Sequence, residues 1–259
     1  MSSSLALQIG HLARRSVLRT LRQPASVVPS LLFPLMLLAV NTGGLRSATN
    51  IPGFPSASFL DFALAFTFMQ GALFATSNAG TDLARDIQTG FLDRLALTPM
   101  RGAALLTGQL GGVVVLGLVQ AAVYLFVGLA FGARIEAGPA GAVVIVALAV
   151  LISLAFGSVG VVMALRTGSG EAVQGLFPLL FALLFLSSMN LPRNLIEIGW
   201  FRWAATVNPV SYLIEAIRSL VVSGWDGQAL ALGFGIAAAI AVAGLALADR
   251  SLRGRLARR

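Results

Sequence analysis

Six long uncharged runs constrain what this chain can fold into. Each is long enough for a helix to cross the hydrocarbon core of a bilayer, which takes about 20 residues. A transmembrane barrel would instead show alternating segments of about ten residues. We therefore predict an all-α integral membrane protein, with six transmembrane helices at 23–45, 62–81, 102–133, 137–165, 172–192 and 227–248.

The arginines indicate on which side of the membrane each part lies. With six crossings, thirteen of the eighteen arginines fall on one side, and the side richer in Arg near helix ends is the cytoplasm. Both termini and the polar segment 82–101 are therefore predicted to be cytoplasmic, in a multi-pass protein of the cell membrane. Since the net charge of +8 has this topological meaning, we expect no nucleic-acid partner. Basic residues that are all arginine, in an Ala- and Gly-rich chain, indicate a GC-rich bacterial source.

Residues 5–22 have the pattern of an amphipathic helix that lies on the membrane. Apolar residues fall on one face at 100° per residue, and the opposite face is basic. We predict an interfacial helix whose arginines lie among anionic membrane lipids. The alternative is a charged flank that only sets topology. The arginines concerned are Arg14, Arg15, Arg19 and Arg22.

The stretch 193–226, before the last run, is apolar but interrupted by charges too often to cross the membrane. It holds all three Trp residues, and Trp prefers the membrane interface. We predict a re-entrant hairpin of two short helices on the outer side, broken at Asn208-Pro209. Glu215 and Arg218 are expected to pair at i and i+3. An ordinary surface helix is the alternative.

Several kinds of chemistry are excluded by missing residue types. There is no cysteine and a single histidine, which argues against Cys- or His-based metal sites and a Ser-His dyad. There is no lysine either, so the phosphate-binding loop G-x-x-x-x-G-K-[ST] is absent. We therefore predict no catalytic residue, no metal site and no enzymatic activity in the chain itself. Any ATP and Mg must be bound by another polypeptide.

The segment 82–101 carries a pattern that resembles the ABC-2-type transporter permeases. It consists of Arg85-Asp86, Gly90, a leucine-bearing stretch and Thr98-Pro99, with Gly108 downstream. In that family the loop between the second and third spans has this order, although a Glu is common where Asp86 stands here. The segment Asn208-Pro209, Tyr212, Glu215 and Arg218 is similar to the family's hairpin before the last helix. The resemblance covers the whole chain, 1–259, as a single transmembrane domain.

The resemblance implies a permease subunit of an ATP-binding-cassette exporter. It implies a second permease subunit, as a homodimer or a paralogous heterodimer, and two copies of a cytoplasmic ATPase. Segment 82–101 would couple to that ATPase, with its apolar residues in a groove and its charges setting orientation. The coupling residues implied are Asp82, Leu83, Arg85, Asp86, Ile87, Gly90, Phe91, Leu92, Asp93, Arg94, Leu95 and Pro99.

The substrate is expected to be lipophilic or amphipathic, such as a drug, an antibiotic or a lipid-like molecule. The spans offer Phe, Leu, Val, Ala and Met, which suit an apolar cargo, as in drug-resistance members of the family. An exporter of a lipid-linked glycan or polysaccharide is the first alternative. A secondary, ion-coupled transporter is the alternative from another class, and it is disfavoured because no ionisable residue lies in the middle of a span.

Overall fold

The structure is a computed structural model that describes residues 2–96 and 102–257. Over these ranges the secondary structure is helical, without strands. Five helices are long and apolar enough to cross a membrane, which confirms the predicted all-α membrane class. The helices are α1 Ser2–Leu21, α2 Pro24–Gly44, α3 Phe59–Gln88, α4 Phe91–Ala96, α5 Gly102–Ala130, α6 Gly138–Thr167, α7 Gly170–Gln174, α8 Leu176–Phe185, α9 Gly199–Val207, α10 Pro209–Arg218 and α11 Gly227–Ala257.

The fifth apolar run differs from the single span predicted over 172–192. It forms the short helices α7 and α8, and the chain turns after Phe185. The amide of Asn208 explains how α8 can stop there. Its Nδ2 donates to the carbonyl oxygens of Leu183 at 2.6 Å and Leu186 at 3.1 Å. The last carbonyls of a helix need such donors in apolar surroundings, and here another element supplies them.

Helix α3 lies at the centre of the molecule. In its most apolar 18-residue window 89% of the residues are buried, against 17% in α2. It packs against α6 at Gly160, where an added Cβ would come within 2.0 Å of the Thr76 carbonyl oxygen. The Thr76 hydroxyl also donates to the Phe156 carbonyl oxygen at 2.9 Å. Small residues and a buried hydrogen bond thus hold α3 and α6 together.

Helix α2 contains Pro29 and Pro34 in its interior, and a neighbouring helix compensates for the second of them. Pro34 has no N–H to donate to the carbonyl oxygen of Ser30, one turn earlier. The hydroxyl of Tyr124 and the amide of Gln120, both on α5, donate to that oxygen instead. Gln120 also donates to the Gly71 carbonyl oxygen of α3 at 3.3 Å. Two polar side chains of α5 therefore join α2, α3 and α5.

Helix α11 extends beyond the predicted end of the last span at residue 248 and runs to Ala257. In this extension, the Nη1 of Arg255 donates to the Leu165 carbonyl oxygen at 3.1 Å. Leu165 lies in the last turn of α6, where carbonyls lack helix partners. The basic tail thereby holds the end of α6.

Candidate functional site

The second transmembrane helix continues without a break into the segment that sequence assigns to coupling. Helix α3 runs to Gln88, so Asp82 and Asp86 lie on its last turns. Thr89 and Gly90 form the turn to α4, and Gly90 has a φ of +68°, a conformation that favours glycine. The coupling segment therefore consists of the end of α3, a tight turn and the short helix α4.

Two arginines of α1 bind the two acids at the end of α3. The guanidinium of Arg15 donates two parallel hydrogen bonds to Asp86, each 2.9 Å long. Arg19 lies 3.0 Å from Asp86 and 3.0 Å from Asp82. We call this set of four residues the α1–α3 clamp. Such bidentate, charge-assisted contacts are short and directional.

The spacing of the four residues explains how the clamp forms. Asp82 and Asp86 are four residues apart on α3, and Arg15 and Arg19 are four apart on α1. Residues at i and i+4 lie on the same face of a helix, so two matched pairs of opposite charge face each other. Asp86 is 5% exposed. The structure therefore directs two of the four arginines of the interfacial helix towards the protein, whereas Arg14 and Arg22 are exposed.

Helix α1 also packs closely on α5 at the glycines whose spacing indicates a helix contact. A Cβ on Gly108 would come within 2.3 Å of the Leu12 Cβ, and one on Gly112 within 2.6 Å of the Ser16 Oγ. The Ser16 hydroxyl donates to the Gln109 carbonyl oxygen at 2.8 Å and accepts from the Gly112 N–H at 3.1 Å. Small residues of this kind allow helix backbones to approach. Helix α1 is thus bound on two sides, to α3 and to α5.

The apolar residues of the coupling segment have partners inside the chain. Leu83, Ile87 and Leu92 are 2%, 7% and 3% exposed, and they belong to a cluster with residues of α5, α6, α7 and α11. Their place in a groove of an ATPase stays a prediction, and within this chain their side chains are already enclosed. Phe91 is half-buried, with the Arg15 guanidinium 3.8 Å from its ring centroid.

A polar ridge remains exposed beside the clamp. It consists of Arg85, Gln88, Thr89 and Arg94, and we call it the exposed ridge. The Gln88 amide donates to the Gly168 carbonyl oxygen at 3.2 Å, which ties the ridge to the loop between α6 and α7. In that loop the Ser169 hydroxyl donates to Glu171 and lowers the pKa of its carboxyl. Asp93 and Leu95 belong to α4, but their side chains lie outside the described residues, as do Thr98 and Pro99.

At the opposite end of α3 lies the helix pair α9–α10, broken at Asn208 as the sequence predicts. The predicted pairing of Glu215 with Arg218 is wrong. Glu215 accepts instead from the Nε and Nη2 of Arg193, the first of these at 2.8 Å. The Arg193 guanidinium also lies 4.5 Å from the centroid of the Tyr212 ring. Arg218 points into the protein, where it is buried and donates to backbone carbonyl oxygens.

A row of phenylalanines borders the space between α2, α3 and α8. Phe74 of α3 lies 6.0 Å from Phe33 and 5.3 Å from Phe177, measured between ring centroids. Phe181 lies 5.7 Å from Phe177 and 5.1 Å from Phe185. The other phenylalanines of α3 pack in the core, where Phe62 and Phe66 are fully buried. Phe74 and the α8 rings thus form the aromatic surface that is partly open.

Sequence reasoning missed the clamp because it treated each charged segment separately. The matching i,i+4 spacings of Arg15 and Arg19 and of Asp82 and Asp86 were the available signal.

Within the described ranges, no group of three or more His, Asp or Glu side chains is placed to hold a metal ion.

The sequence is similar to a known family and to known membrane transport proteins. Residues 7–222 match the family described as ABC-2 type transporter. A "Daunorubicin resistance ABC transporter permease protein DrrB1" of Streptomyces coeruleorubidus is 29% identical over 232 residues, covering 84% of this chain and 77% of the relative. A "Probable doxorubicin resistance ABC transporter permease protein DrrC" of Mycobacterium tuberculosis is 23% identical over 210 residues, covering 81% and 75%.

Proposed function

This chain belongs to the ABC-2 type transporter family, and from that premise we propose that it is the membrane subunit of an exporter driven by ATP hydrolysis in a separate ATPase subunit. In this proposal both termini and the α1–α3 clamp lie in the cytoplasm, and the α9–α10 hairpin lies on the outer side. Two permease subunits, identical or paralogous, assemble with two ATPase subunits, which bind the ATP and Mg.

The continuity of α3 is the observation that carries the proposal. One unbroken helix of 30 residues joins the coupling segment to the membrane core. Because Asp86 near its end is held by Arg15 and Arg19, a displacement of α1 moves the end of α3 with it. A rigid helix transmits such a displacement along its length, as in other domain-closure movements.

The exposed ridge is the surface that we assign to the ATPase. Arg85 and Arg94 present charge there, while Asp86 and the apolar residues hold the ridge in place from behind. The coupling segment thus has two kinds of residue in this proposal. The residues that contact the ATPase are Arg85, Gln88, Thr89 and Arg94. The residues that hold the exposed ridge in position are Asp82, Asp86, Leu83, Ile87 and Leu92.

The cargo is proposed to be a lipophilic or amphipathic molecule that contacts the row formed by Phe33, Phe74, Phe177, Phe181 and Phe185. Flat aromatic rings with few polar groups suit an apolar, ring-containing compound. The names of two relatives refer to resistance to daunorubicin and doxorubicin. An aromatic drug of that type is therefore the first probe to use.

The test is transport of daunorubicin by the permease reconstituted with its ATPase in proteoliposomes. We expect uptake that requires hydrolysable ATP. Arg85→Glu should abolish copurification of the ATPase, whereas Arg46→Glu, in the exposed loop after α2, should leave it unchanged. Transport that survives ATP depletion and collapses with the proton gradient would instead identify a secondary transporter.

A further inference from the structure

Arg218 is a cation buried at the hairpin end of the molecule, with 6% of its surface exposed. Its Nη1 donates to the Ser188 carbonyl oxygen and its Nη2 to that of Met189, both at 2.9 Å. Its Nε donates to the Phe62 carbonyl oxygen at 3.3 Å, and its guanidinium carbon lies 3.6 Å from the centroid of the Phe62 ring. One side chain of α10 therefore holds both the start of α3 and the turn that follows α8.

Stability alone does not account for this arrangement. Across residues 2–96 and 102–257, no carboxylate forms an ion pair with Arg218, and Glu215, one turn earlier, binds Arg193. Removing a charge from water costs several kcal/mol, and an apolar side chain of similar volume often gives equal or higher stability. The arginine does what an apolar residue cannot do, because it joins two separate backbone segments to α10.

The bonds of Arg218 and the α1–α3 clamp act on opposite ends of one helix. Phe62 lies in the first turns of α3 and Asp86 in the last ones. At a rise of 1.5 Å per residue the two positions are about 36 Å apart along the axis. Each end of the helix is thus held by arginines from another element, α1 at one end and α10 at the other.

We propose that Arg218 is the positioning residue that carries a movement of α3 to the outer hairpin. This inference rests on the proposed function, in which α3 is the helix that the ATPase displaces. A tilt of α3 shifts Phe62, and the guanidinium bonded to it shifts with it. Because the same guanidinium is bonded at Ser188 and Met189, the end of α8 and the hairpin then move together.

The first experiment measures transport and ATP hydrolysis in the same proteoliposomes, with daunorubicin as the probe. We expect Arg218→Met to hydrolyse ATP at close to the wild-type rate while daunorubicin transported per ATP falls about tenfold, within the range of allosteric couplings. Arg218→Lys keeps the charge and some donors, so it should recover part of the loss. Arg134→Met is the matched control, since Arg134 is an exposed arginine at the same end of the molecule.

The second experiment follows the hairpin itself. Because the chain has no cysteine, a single Val207→Cys on the exposed face of α9 can be labelled with a membrane-impermeant maleimide. In the otherwise wild-type complex the labelling rate should differ between the resting state and a state trapped after ATP hydrolysis. Arg218→Met should remove that difference, whereas a merely structural residue would change the resting rate only.

The outcomes separate this inference from the function on which it rests. A wild-type complex without ATP-dependent transport would overturn both. Two results would overturn the inference alone, provided that the wild-type complex transports daunorubicin. In the first, Arg218→Met transports the normal amount of drug per ATP. In the second, Arg218→Met loses transport and ATP hydrolysis in parallel. If Arg218→Met does not reach the membrane, the same measurements are made on Arg218→Lys. Wild-type daunorubicin transport per ATP in Arg218→Lys would refute the proposal.

Discussion

Arg15 donates two parallel hydrogen bonds to Asp86, although the two residues are 71 positions apart in the sequence. The pair joins the amphipathic first helix to the end of the central helix. It binds α1 to the packed helices of the chain, so α1 does not only rest on the membrane.

Breaking this pair should loosen α1 and impair coupling. Asp86→Ala leaves Arg15 and Arg19 without their shared acceptor, so we expect a loss of about 1.5–3 kcal/mol in unfolding free energy, as for other hydrogen bonds to charged groups. The measurement is denaturation of the purified complex in detergent. Arg14→Ala is the control, because Arg14 lies exposed on the same helix.

A double-mutant cycle tests whether the contact itself is responsible. Arg15→Ala and Asp86→Ala, combined, should destabilise the protein by less than the sum of the single variants, because the second substitution removes a contact already lost. Additive effects would show that the two side chains do not interact.

The close contact between α1 and α5 gives a prediction about size. A Cβ added at Gly112 would lie 2.6 Å from the hydroxyl oxygens of Ser16 and Thr20. Gly112→Val adds this Cβ and two methyl groups, so α1 must shift, at a cost of about 1–3 kcal/mol. Gly10→Ala provides the control, since nothing lies within 4 Å of the added Cβ. Limited proteolysis of α1 should accelerate in Gly112→Val and not in Gly10→Ala. Equal proteolysis rates would contradict the close packing.

The compensation of Pro34 by α5 can be tested by changing both partners. Tyr124→Phe removes a donor to the Ser30 carbonyl oxygen and should cost about 0.5–2 kcal/mol, the range seen for hydrogen bonds inside membrane proteins. Pro34→Ala restores a backbone N–H one turn after Ser30. In that background Tyr124→Phe should cost less, as measured by thermal unfolding. An unchanged cost would mean that the tyrosine hydroxyl has another role.

The phenylalanine row predicts an effect on drug affinity. Phe74→Ala removes a ring that contacts both α2 and α8, and stacking of aromatic rings contributes about 0.5–1.5 kcal/mol per pair. We expect the KM for daunorubicin transport to rise severalfold while ATP hydrolysis without drug stays the same. Phe126→Ala, on the exposed surface of α5, should leave the KM unchanged. A higher KM in both variants would point to a general change in the membrane domain.

Sequence alone was sufficient for the helical class and for the position of the hairpin break. Uninterrupted apolar runs have few other solutions in a bilayer, and Asn208-Pro209 combines a helix cap with a residue that starts a helix well. The family resemblance rested on the segment 82–101 and on residues 208–218, and it was confirmed by the match over residues 7–222.

The pairing of charges in the hairpin could not be predicted from local spacing. Glu215 and Arg218 are close enough along α10 to interact, yet Glu215 turns to Arg193 and Arg218 turns inward. The partner of Arg218 depends on the turn after α8, whose free carbonyl oxygens come within its reach only when the chain has folded. In the same way, nothing in residues 82–96 indicates that Leu83 and Leu92 are buried in one cluster with residues of α5 and α6.

The contrast between α3 and α2 also bears on how such a transporter can evolve. Helix α3 is enclosed by neighbours on nearly every side, so most substitutions along it must be matched by changes elsewhere. Helix α2 is covered on one side, and its open face can change residue by residue. We therefore expect related transporters to diverge fastest along α2 and slowest along α3, so that the surface of α2 can change while the packing around α3 is preserved.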